Sequence, residues 1–321
     1  MRYFTTEDII DIYAKLKLRG LPFLLSKFNS SGLKRTKSAF NKLHINAAHS
    51  WHIPMVQQRW NKLISGDSNN NFKNFLIENH FKGRKKLKML SLGCGRGEHE
   101  IEFAQQPFFE EIVGMDISDS LINHARDIVM KKGLNNISFK TQDAYTYNFP
   151  EAYFDIIFFH ASLHHFKNIE KLVETLKKTL KSDGLLIINE YVGRNRLQYP
   201  KQQLAAINKS LKLIPKKWKQ RFKLPLYKSN YSGSGILRMI IADPSECVES
   251  EHILPVIHSN FSIVCERPFG GNIIIPALKD ISHHFLDLDD EKEKVLQAIF
   301  DIEDTYLQEY PSDYIFGIYK N

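Results

Sequence analysis

From Lys88 to Glu190 the sequence alternates between short apolar runs and longer amphipathic segments. The apolar runs occupy 89–92, 112–115, 137–139, 154–159 and 185–188, and helical spacing occupies 98–106, 119–132 and 169–181. Runs that are apolar throughout are typical of parallel strands buried on both faces, with helices as the covering layers. The alternation therefore predicts a doubly wound α/β fold.

The residues before this region, 1–85, are predicted to form an N-terminal helical cap. Thr5 and Asp8 have the spacing of a capping box, at the start of a first helix that ends near Gly20. One face of that helix is apolar and is formed by Ile9, Ile10, Tyr13 and Leu16. Further helices are predicted at 54–66 and 71–81, with a polar loop at 26–42.

Residues 86–321 are predicted to form one domain with two additions. The first is an insertion at 191–255, and the second is a helical insertion at 280–310 that precedes the last strand. Strand character returns at 261–265 and at 314–319. The helical insertion has two interpretations, a dimerisation element or a cover for the edge of the sheet, so the oligomeric state stays open.

The positive charge of the chain is concentrated in one stretch. Residues 191–228, the basic segment, contain eleven Lys or Arg and no Asp or Glu, although the net charge of the whole chain is only +8. Three interpretations stay open: a solvated helical face, a lid whose cations meet an anionic substrate, and a groove for RNA phosphates. The few aromatic residues in the segment form no stacking motif, which makes nucleic acid the least favoured partner.

Composition and the chain start favour a cytoplasmic protein. The first twelve residues carry three acidic side chains where a signal peptide needs an apolar core, and no apolar run has the length of a membrane span. The three cysteines, Cys94, Cys247 and Cys265, match no disulfide or zinc spacing, so no metal site is predicted.

A glycine-rich loop follows the first predicted strand. Residues 93–97 read Gly-Cys-Gly-Arg-Gly and lead directly into a predicted helix. Such a loop lets the backbone approach a ligand and leaves helix N-terminal amides available, but NAD and FAD sites share it. Asp116 ends the second strand 19 residues after Gly97, where a carboxylate can bind ribose hydroxyls. Asp143 follows the third strand, where it and the next amide can contact adenine.

Two further motifs decide among these nucleotide sites. Leu163-His164-His165 follows the fourth strand, and residues 181–184 read Lys-Ser-Asp-Gly before the fifth. With the glycine loop and the two aspartates, they make residues 90–190 similar to a class I S-adenosylmethionine (SAM)-dependent methyltransferase domain. The resemblance implies a Rossmann-like sheet of seven strands, the last antiparallel. It also implies SAM as the cofactor and S-adenosylhomocysteine as its product.

The resemblance also implies which residues bind SAM. The glycines flank the amino-acid part, Asp116 contacts the ribose and Asp143 the adenine; the full set is Ser91, Gly93, Cys94, Gly95, Gly97, Asp116, Ile117, Asp143, Ala144 and His160. Ser91 departs from the family, whose members usually carry an acid two positions before the first glycine to tether the amino group of the donor. A hydroxyl offers no charge there, which favours weaker donor binding.

Residues beyond the donor site are predicted to serve the acceptor. His160, at the end of strand four, and Glu190, at the end of strand five, are the candidate proton acceptors, and either can instead only bind substrate. The candidate substrate-binding residues are Trp60, His164, Tyr191 and Arg194. Each has an ordinary alternative, such as packing of the cap for Trp60 or a structural role for His164.

The flanks narrow the function further. Segments 190–198, 237–246 and 268–271 resemble a largely uncharacterised bacterial methyltransferase subgroup whose members look like small-molecule or glycan-tailoring enzymes. The sequence therefore predicts methyl transfer to O or N of a small-molecule, natural-product or glycan acceptor. An RNA methyltransferase that uses the basic segment and a non-catalytic SAM-binding protein are the alternatives.

Overall fold

A computed structural model describes residues 1–20, Thr36 and 48–321 of the chain. The predicted polar loop at 26–42 lies outside the described residues, apart from Thr36. One seven-stranded sheet has the order β3-β2-β1-β4-β5-β7-β6. Its strands are β1 (Leu87–Leu92), β2 (Phe109–Asp116), β3 (Ile137–Thr141), β4 (Phe154–His160), β5 (Leu180–Tyr191), β6 (Ser262–Gly270) and β7 (Tyr314–Lys320).

The sheet confirms the predicted architecture. Neighbouring strands from β3 to β5 run parallel, and β7 is antiparallel to both β5 and β6. The described helices are α1 (Thr6–Arg19), α2 (Pro54–Ser65), α3 (Phe72–Leu76), α4 (Glu98–Ala104), α5 (Asp119–Lys132), α6 (Ile169–Thr179), α7 (Lys201–Leu213), α8 (Ile236–Ala242), α9 (Ile253–Asn260), α10 (Ile274–Leu278) and α11 (Asp290–Leu307).

The apolar runs are continuous because successive residues serve two different cores. Met89 and Ile156 point into the core on one face of the sheet, whereas Leu90 and Ile157 point into the core on the other. All four are almost completely buried. The strand order reverses between β1 and β4, and open sheets of this kind bind ligands at the carboxyl ends of the strands beside that reversal.

The helices of the N-terminal cap lie close to their predicted positions, but the predicted apolar face of α1 is exposed. Ile9 is 56% exposed, and Tyr13 and Leu16 are exposed with it. The helix instead turns its acids inward: Asp8 accepts hydrogen bonds from the backbone amides of Thr5 and Gly235 at 2.7 and 2.9 Å. The predicted apolar face is therefore wrong, because buried charge pairing fixes the rotation of this helix.

The remaining cap helices follow the prediction closely. α2 begins at Pro54, buries Val56, Trp60 and Ile64, and ends at Gly66 in a left-handed conformation. The helix predicted at 71–81 divides into α3, which Asn71 caps, and a π-helical turn at Ile77–Phe81. The first strand begins at Leu87, close to the predicted domain boundary, but the division into cap, domain and insertions stays a prediction.

Two smaller features differ from or extend the predictions. Residues 181–184 lie within β5 rather than in a turn before it, because Leu180 already pairs with Phe154 of β4. All three cysteines are free thiols. Within the described ranges, no helix combines the length and the apolar character that crossing a membrane requires.

Candidate active site

A cavity of about 550 Å³, the main cavity, opens at the carboxyl ends of β1, β2 and β4. This volume lies in the usual range for small-ligand sites. The structure brings nine of the ten predicted cofactor residues to its lining, and only Gly97 lies outside it. Those nine are Ser91, Gly93, Cys94, Gly95, Asp116, Ile117, Asp143, Ala144 and His160.

The glycine loop forms the floor of the main cavity in a backbone conformation that favours glycine. Gly93, Gly95 and Gly97 have φ angles of 68°, 55° and 70°. The amides of Gly93 and Cys94 both donate to the carbonyl of Met115, at 2.7 and 3.1 Å, which fastens the loop to β2. The loop therefore reaches the cavity as rigid backbone without side chains at its glycines.

Asp116 joins this loop to the start of α5. Its two carboxylate oxygens accept hydrogen bonds from the amides of Gly95, at 3.0 Å, and Ser118, at 2.8 Å. Burial raises the pKa of Asp116 above its usual value, against the lowering effect of these amides. Each carboxylate oxygen has a second lone pair, so both keep acceptor capacity for ligand hydroxyls.

Asp143 and Ala144 form the far wall of the main cavity. Asp143 accepts a hydrogen bond from the amide of Tyr145 at 3.0 Å, and the hydroxyl of Tyr145 donates to the carbonyl of Lys167 at 2.7 Å. These contacts hold residues 143–145 against the segment that follows β4. The wall thus combines a carboxylate with an apolar side chain.

Glu100 is the residue of this site that the sequence prediction missed. Its side chain is buried in the main cavity lining, and its Oε1 accepts a hydrogen bond from the Ser91 hydroxyl at 2.6 Å. Its Oε2 is buried without a hydrogen-bond partner among the described residues. Burial raises the pKa of Glu100 to about 7. A carboxylate from α4 therefore lies beside the position where the family usually has an acid on β1.

His160 lies at the end of β4 among aromatic rings. The His160 ring centroid is 4.1 Å from that of His99 and 5.3 Å from that of Phe72, with which it stacks. Burial lowers the pKa of His160 to about 4, so the ring is neutral at physiological pH. A neutral imidazole accepts or donates a hydrogen bond, but a pKa this low makes it a weak proton acceptor.

Glu190 does not face the main cavity as the sequence predicted. Its Oε2 accepts from the amides of Ser162 and Leu163 at 2.8 and 2.7 Å, and its Oε1 accepts from the amide of Tyr191 and contacts His164 Nδ1. Burial would raise its pKa, but His164 and these amides lower it. All of its acceptor capacity is engaged inside the protein, so Glu190 positions His164 and is not available to an acceptor substrate.

A second cavity of about 190 Å³ lies on the other side of His164 and His165. Tyrosines provide much of its lining, together with His164, Glu246 and Lys279; the tyrosines are Tyr191, Tyr199, Tyr231 and Tyr314. The two histidine rings, whose centroids are 4.2 Å apart, and the chain around Ser245 form the partition, because His165 and Ser245 line the main cavity and His164 and Glu246 the second.

Two predicted substrate-binding residues lie outside both cavities. Trp60 is buried against the rings of Trp51 and Phe269, with centroids at 4.7 and 5.8 Å. It belongs to the packing between cap and sheet. The largely exposed Arg194 pairs with Glu251 at 2.6 Å. The predicted substrate contacts of Trp60 and Arg194 are therefore corrected, because each side chain is directed to a partner within the protein.

Much of the basic segment is also engaged internally. Arg196 donates to the carbonyls of Glu246 and Pro244, at 3.0 and 2.8 Å. Arg221 is 2% exposed and pairs with Glu7 and Asp280, both at 2.7 Å. These contacts favour an internal role for several of the eleven cations, while RNA as a partner stays an untested interpretation.

Comparison with known proteins gives the family. A family model described as a methyltransferase domain matches residues 84–253, more than half of the 321 residues. The chain belongs to the class I SAM-dependent methyltransferases. Its membership of this family, whose cofactor is SAM, and its seven-stranded Rossmann-like sheet agree with the sequence prediction.

Individual relatives match over shorter stretches. The chain is 30% identical over 109 residues to the uncharacterized methyltransferase YcgJ of Bacillus subtilis, covering 34% of this chain and 42% of that protein. It is 28% identical over 130 residues to a demethylmenaquinone methyltransferase of Bacteroides fragilis, covering 40% and 52%. The crystal structure of YcgJ aligns with 77% of this chain and 95% of that one, at 17% identity and a TM-score of 0.42. In the two sequence matches, the chain spans about half the length of these curated relatives.

Proposed function

We propose that this chain transfers the methyl group of SAM to an oxygen or nitrogen atom of a small polar molecule that enters beside the His164–His165 partition. The observation that carries the proposal is the main cavity, where a glycine loop, four carboxylates and a neutral histidine meet at the strand reversal. The bound sulfonium supplies an already activated methyl group, so the protein has to align the reactants and exclude water.

The residues of the main cavity fit SAM part by part. The Oε2 of Glu100, which has no partner among the described residues, is a buried acceptor that an ammonium group would satisfy, which supports it as the tether of the methionine amino group. Asp116 would bind the ribose hydroxyls with the lone pairs that Gly95 and Ser118 leave available. Asp143 and Ala144 would contact the adenine, and Gly93 and Gly95 keep the floor clear of side chains.

His160 would position the acceptor instead of carrying its proton. It lies in the same cavity lining as Ser162 and His165, and its neutral ring can fix the orientation of a hydroxyl or amino group by one hydrogen bond. Its depressed pKa makes full proton transfer to this ring unfavourable. Proximity and alignment are therefore the main contributions of these side chains to the rate.

The second cavity supports a small acceptor over a polymer. About 190 Å³ holds a group of a few heavy atoms, and its phenols, Lys279 and Glu246 offer polar contacts to such a group. Lys279 Nζ is also 3.9 Å from Asp11 Oδ1, so its charge is shared with the cap. A compact polar molecule, or the polar end of a larger natural product or glycan, matches this lining best.

Donor binding is tested first, by calorimetric titration of SAM into the wild type and three variants. Asp116→Ala and Glu100→Gln each remove a charged hydrogen bond, which is worth about 1.5–3 kcal/mol, and we expect each to weaken SAM binding about tenfold or more. Asp127→Ala, an exposed change on α5, should bind as the wild type does. Unchanged binding by Asp116→Ala would place the cofactor elsewhere.

Transfer is tested with methyl-labelled SAM and a fractionated cell extract. We expect label in the small-molecule fraction, and none when Asp116→Ala replaces the wild type. Label in RNA would support the nucleic-acid alternative and would contradict the small acceptor. Tight SAM binding with no transfer to any fraction would instead indicate a non-catalytic SAM-binding protein.

A further inference from the structure

The partition between the two cavities contains a cluster of metal-ligating side chains. One ligand atom each of His164, His165 and Glu246 lies within 4.8 Å of the others. His164 Nε2 is 4.0 Å from Glu246 Oε1, and His165 Nε2 is 3.9 Å from Glu246 Oε2. These gaps are longer than hydrogen bonds of about 2.9 Å. The three groups thus converge on one point without bonding one another.

The Nδ1 atoms of both rings face acceptors other than Glu246. Burial lowers the pKa of His164, but the Glu190 carboxylate outweighs it and raises that pKa to about 9, so a bound ion would displace the proton on Nε2. His164 Nδ1 contacts the carboxylate of Glu190, which already accepts from three backbone amides and has no proton to give. His164 therefore donates from Nδ1. A histidine that donates one N–H to a carboxylate and presents the other nitrogen is the usual arrangement at protein metal sites.

The partner of His165 imposes the same orientation. The Ser245 hydroxyl donates to Asp243 Oδ1 at 2.6 Å, so its oxygen is an acceptor for His165 Nδ1, which is 3.2 Å away. Nε2 of His165 is then the nitrogen directed at Glu246. Both rings therefore direct Nε2 at the carboxylate of Glu246, while Nδ1 contacts Glu190 in His164 and Ser245 in His165.

We propose that His164, His165 and Glu246 bind one divalent transition-metal ion of the Zn²⁺ kind at the partition. Two imidazoles and one carboxylate are a ligand set that suits Zn²⁺ and leaves a coordination position for water or substrate. Tetrahedral Zn²⁺ with bonds of about 2.0–2.1 Å separates its ligands by about 3.4 Å. The two histidine–Glu246 gaps exceed that by about half an ångström, and the two histidine nitrogens lie within 4.8 Å of each other, so side-chain rotations would have to bring all three ligands inward.

The position of the ion gives it a role in the proposed methyl transfer, and only this role rests on that function. His165 lines the main cavity, and His164 and Glu246 line the second, so the ion would lie at the boundary of the two cavities and would bind the acceptor hydroxyl from the side, next to the donor. A hydroxyl coordinated to a divalent cation would lose its proton more readily to solvent water, and its oxygen would then bond to the methyl carbon as the carbon–sulfur bond of SAM breaks and S-adenosylhomocysteine leaves. The ion would thus supply the activation for which His160 is too weak a base.

The sequence could not indicate this site by spacing. Glu246 follows the two histidines by about eighty residues in the chain and reaches them only because the 243–247 stretch packs against the turn after β4. The amide of Val248 donates to the carbonyl of His164 at 3.3 Å, which fixes that packing. The prediction of no metal considered cysteines alone.

Metal binding is tested directly on the untagged full chain without SAM. The protein is equilibrated with Zn²⁺ or Co²⁺ alone and separated from free ion, and bound metal is measured by elemental analysis. Visible absorption reports the geometry of bound Co²⁺. We expect one ion per wild-type chain, and affinity at least tenfold lower for Glu246→Gln and for His164→Asn, whose amide can still donate to Glu190.

The control is an adjacent histidine pair elsewhere. His283 and His284, with ring centroids 3.9 Å apart, lie away from both cavities, and the double variant H283N/H284N should retain the ion. A wild type that binds no stoichiometric metal overturns the proposal, as does binding that survives Glu246→Gln and His164→Asn together. Circular dichroism checks that each variant is folded. A chain that binds SAM but no metal refutes only this inference, whereas metal binding without SAM binding refutes the proposed function.

Discussion

Ser91 and Glu100 together stand where the resembled family usually has one acidic side chain on the first strand. Ser91 stands on β1 where the resembled family usually has the acid, and its hydroxyl holds Glu100 Oε1 at 2.6 Å. The other oxygen of Glu100 lines the cavity without a partner among the described residues. A buried carboxylate of this kind is costly for the free protein and useful to it only when a cation arrives. The departure at Ser91 thus changes how the proposed donor is held without removing the charge that holds it.

The raised pKa of Glu100 predicts a pH dependence of stability. Its pKa is about 7 in the folded protein and 4.5 ordinarily, so its contribution to stability is complete below about pH 4.5 and lost as the pH rises through 7. Gln at this position does not titrate. We expect the free energy of unfolding of the wild type, measured relative to Glu100→Gln, to fall by about 3 kcal/mol between pH 4.5 and 8.

Urea unfolding of the SAM-free protein at several pH values measures this difference. Glu102→Gln is the matched control, since Glu102 lies on the same helix, outside the cavity lining, in a pair with Lys73. A difference between wild type and Glu100→Gln that stays constant over this pH range would show that Glu100 is ionised at no extra cost, contrary to its burial.

At the scale of the elements, the loop between β1 and α4 depends on a side chain from β3. A Cβ built on Gly97 would lie 2.2 Å from Phe139 Cζ, whereas a Cβ on Gly95 would meet nothing within 4 Å. Both residues have positive φ angles. Packing against Phe139 and the positive φ angle therefore both require glycine at position 97. At position 95, glycine suits the positive φ angle and keeps the main cavity accessible.

This difference predicts that alanine at position 97 mainly lowers the free energy of unfolding, whereas alanine at position 95 also weakens SAM binding. Gly97→Ala adds overpacking against Phe139 to the conformational cost, and we expect it to lower the free energy of unfolding by about 2–5 kcal/mol. Gly95→Ala incurs only the conformational part, about 1–2 kcal/mol, but places a methyl group at the cavity floor and should weaken SAM binding. Urea unfolding and SAM titration of both variants measure this; equal losses of stability would contradict the account.

The positions of helices and strands could be predicted from the sequence, but the contacts between their side chains could be predicted only in part. All seven strands and α5 were located because apolar runs and helical spacing are local properties of the chain. Glu100 was missed because a glutamate in the first turn of a helix is ordinary, and only the packing of α4 on β1 brings it to Ser91. The lining of the second cavity comes from many separate stretches between His164 and Tyr314, and no local pattern connects them. The face of α1 was misjudged because its acids pair with residues more than 200 positions away.

At the scale of the whole molecule, the charge of the basic segment helps to join the cap to the domain. Arg221 of this segment connects Glu7 of α1 to Asp280, at 2.7 Å. Arg238, which follows the segment in α8, pairs with Asp8 of α1 at the same distance. The amino group of Lys228 donates to the carbonyl of Lys279 at 2.7 Å, and burial lowers its pKa to about 7, which reduces its charge. The net charge of +8 therefore overstates the positive charge that the surface of the basic segment exposes to a partner.

The same arrangement predicts that cations of the basic segment differ sharply in their importance for stability. Arg221→Ala leaves the carboxylates of Glu7 and Asp280 without their buried cation, and breaking such a pair typically costs about 3–5 kcal/mol. Lys217 and Glu291 form an ion pair of similar length, 2.6 Å, but both side chains are more than half exposed. Lys217→Ala should therefore cost less than about 1 kcal/mol, because water and salt screen the pair.

Thermal and urea unfolding of the two variants measure this contrast. A second test adds salt: the stability difference between Lys217→Ala and the wild type should shrink further as ionic strength rises, whereas that of Arg221→Ala should persist, since a pair shielded from solvent is screened much less. If both variants lost equal and small amounts of stability, Arg221 would not hold the cap to the domain. The basic segment would then be a solvated face, and its cations would again be candidates for an anionic partner.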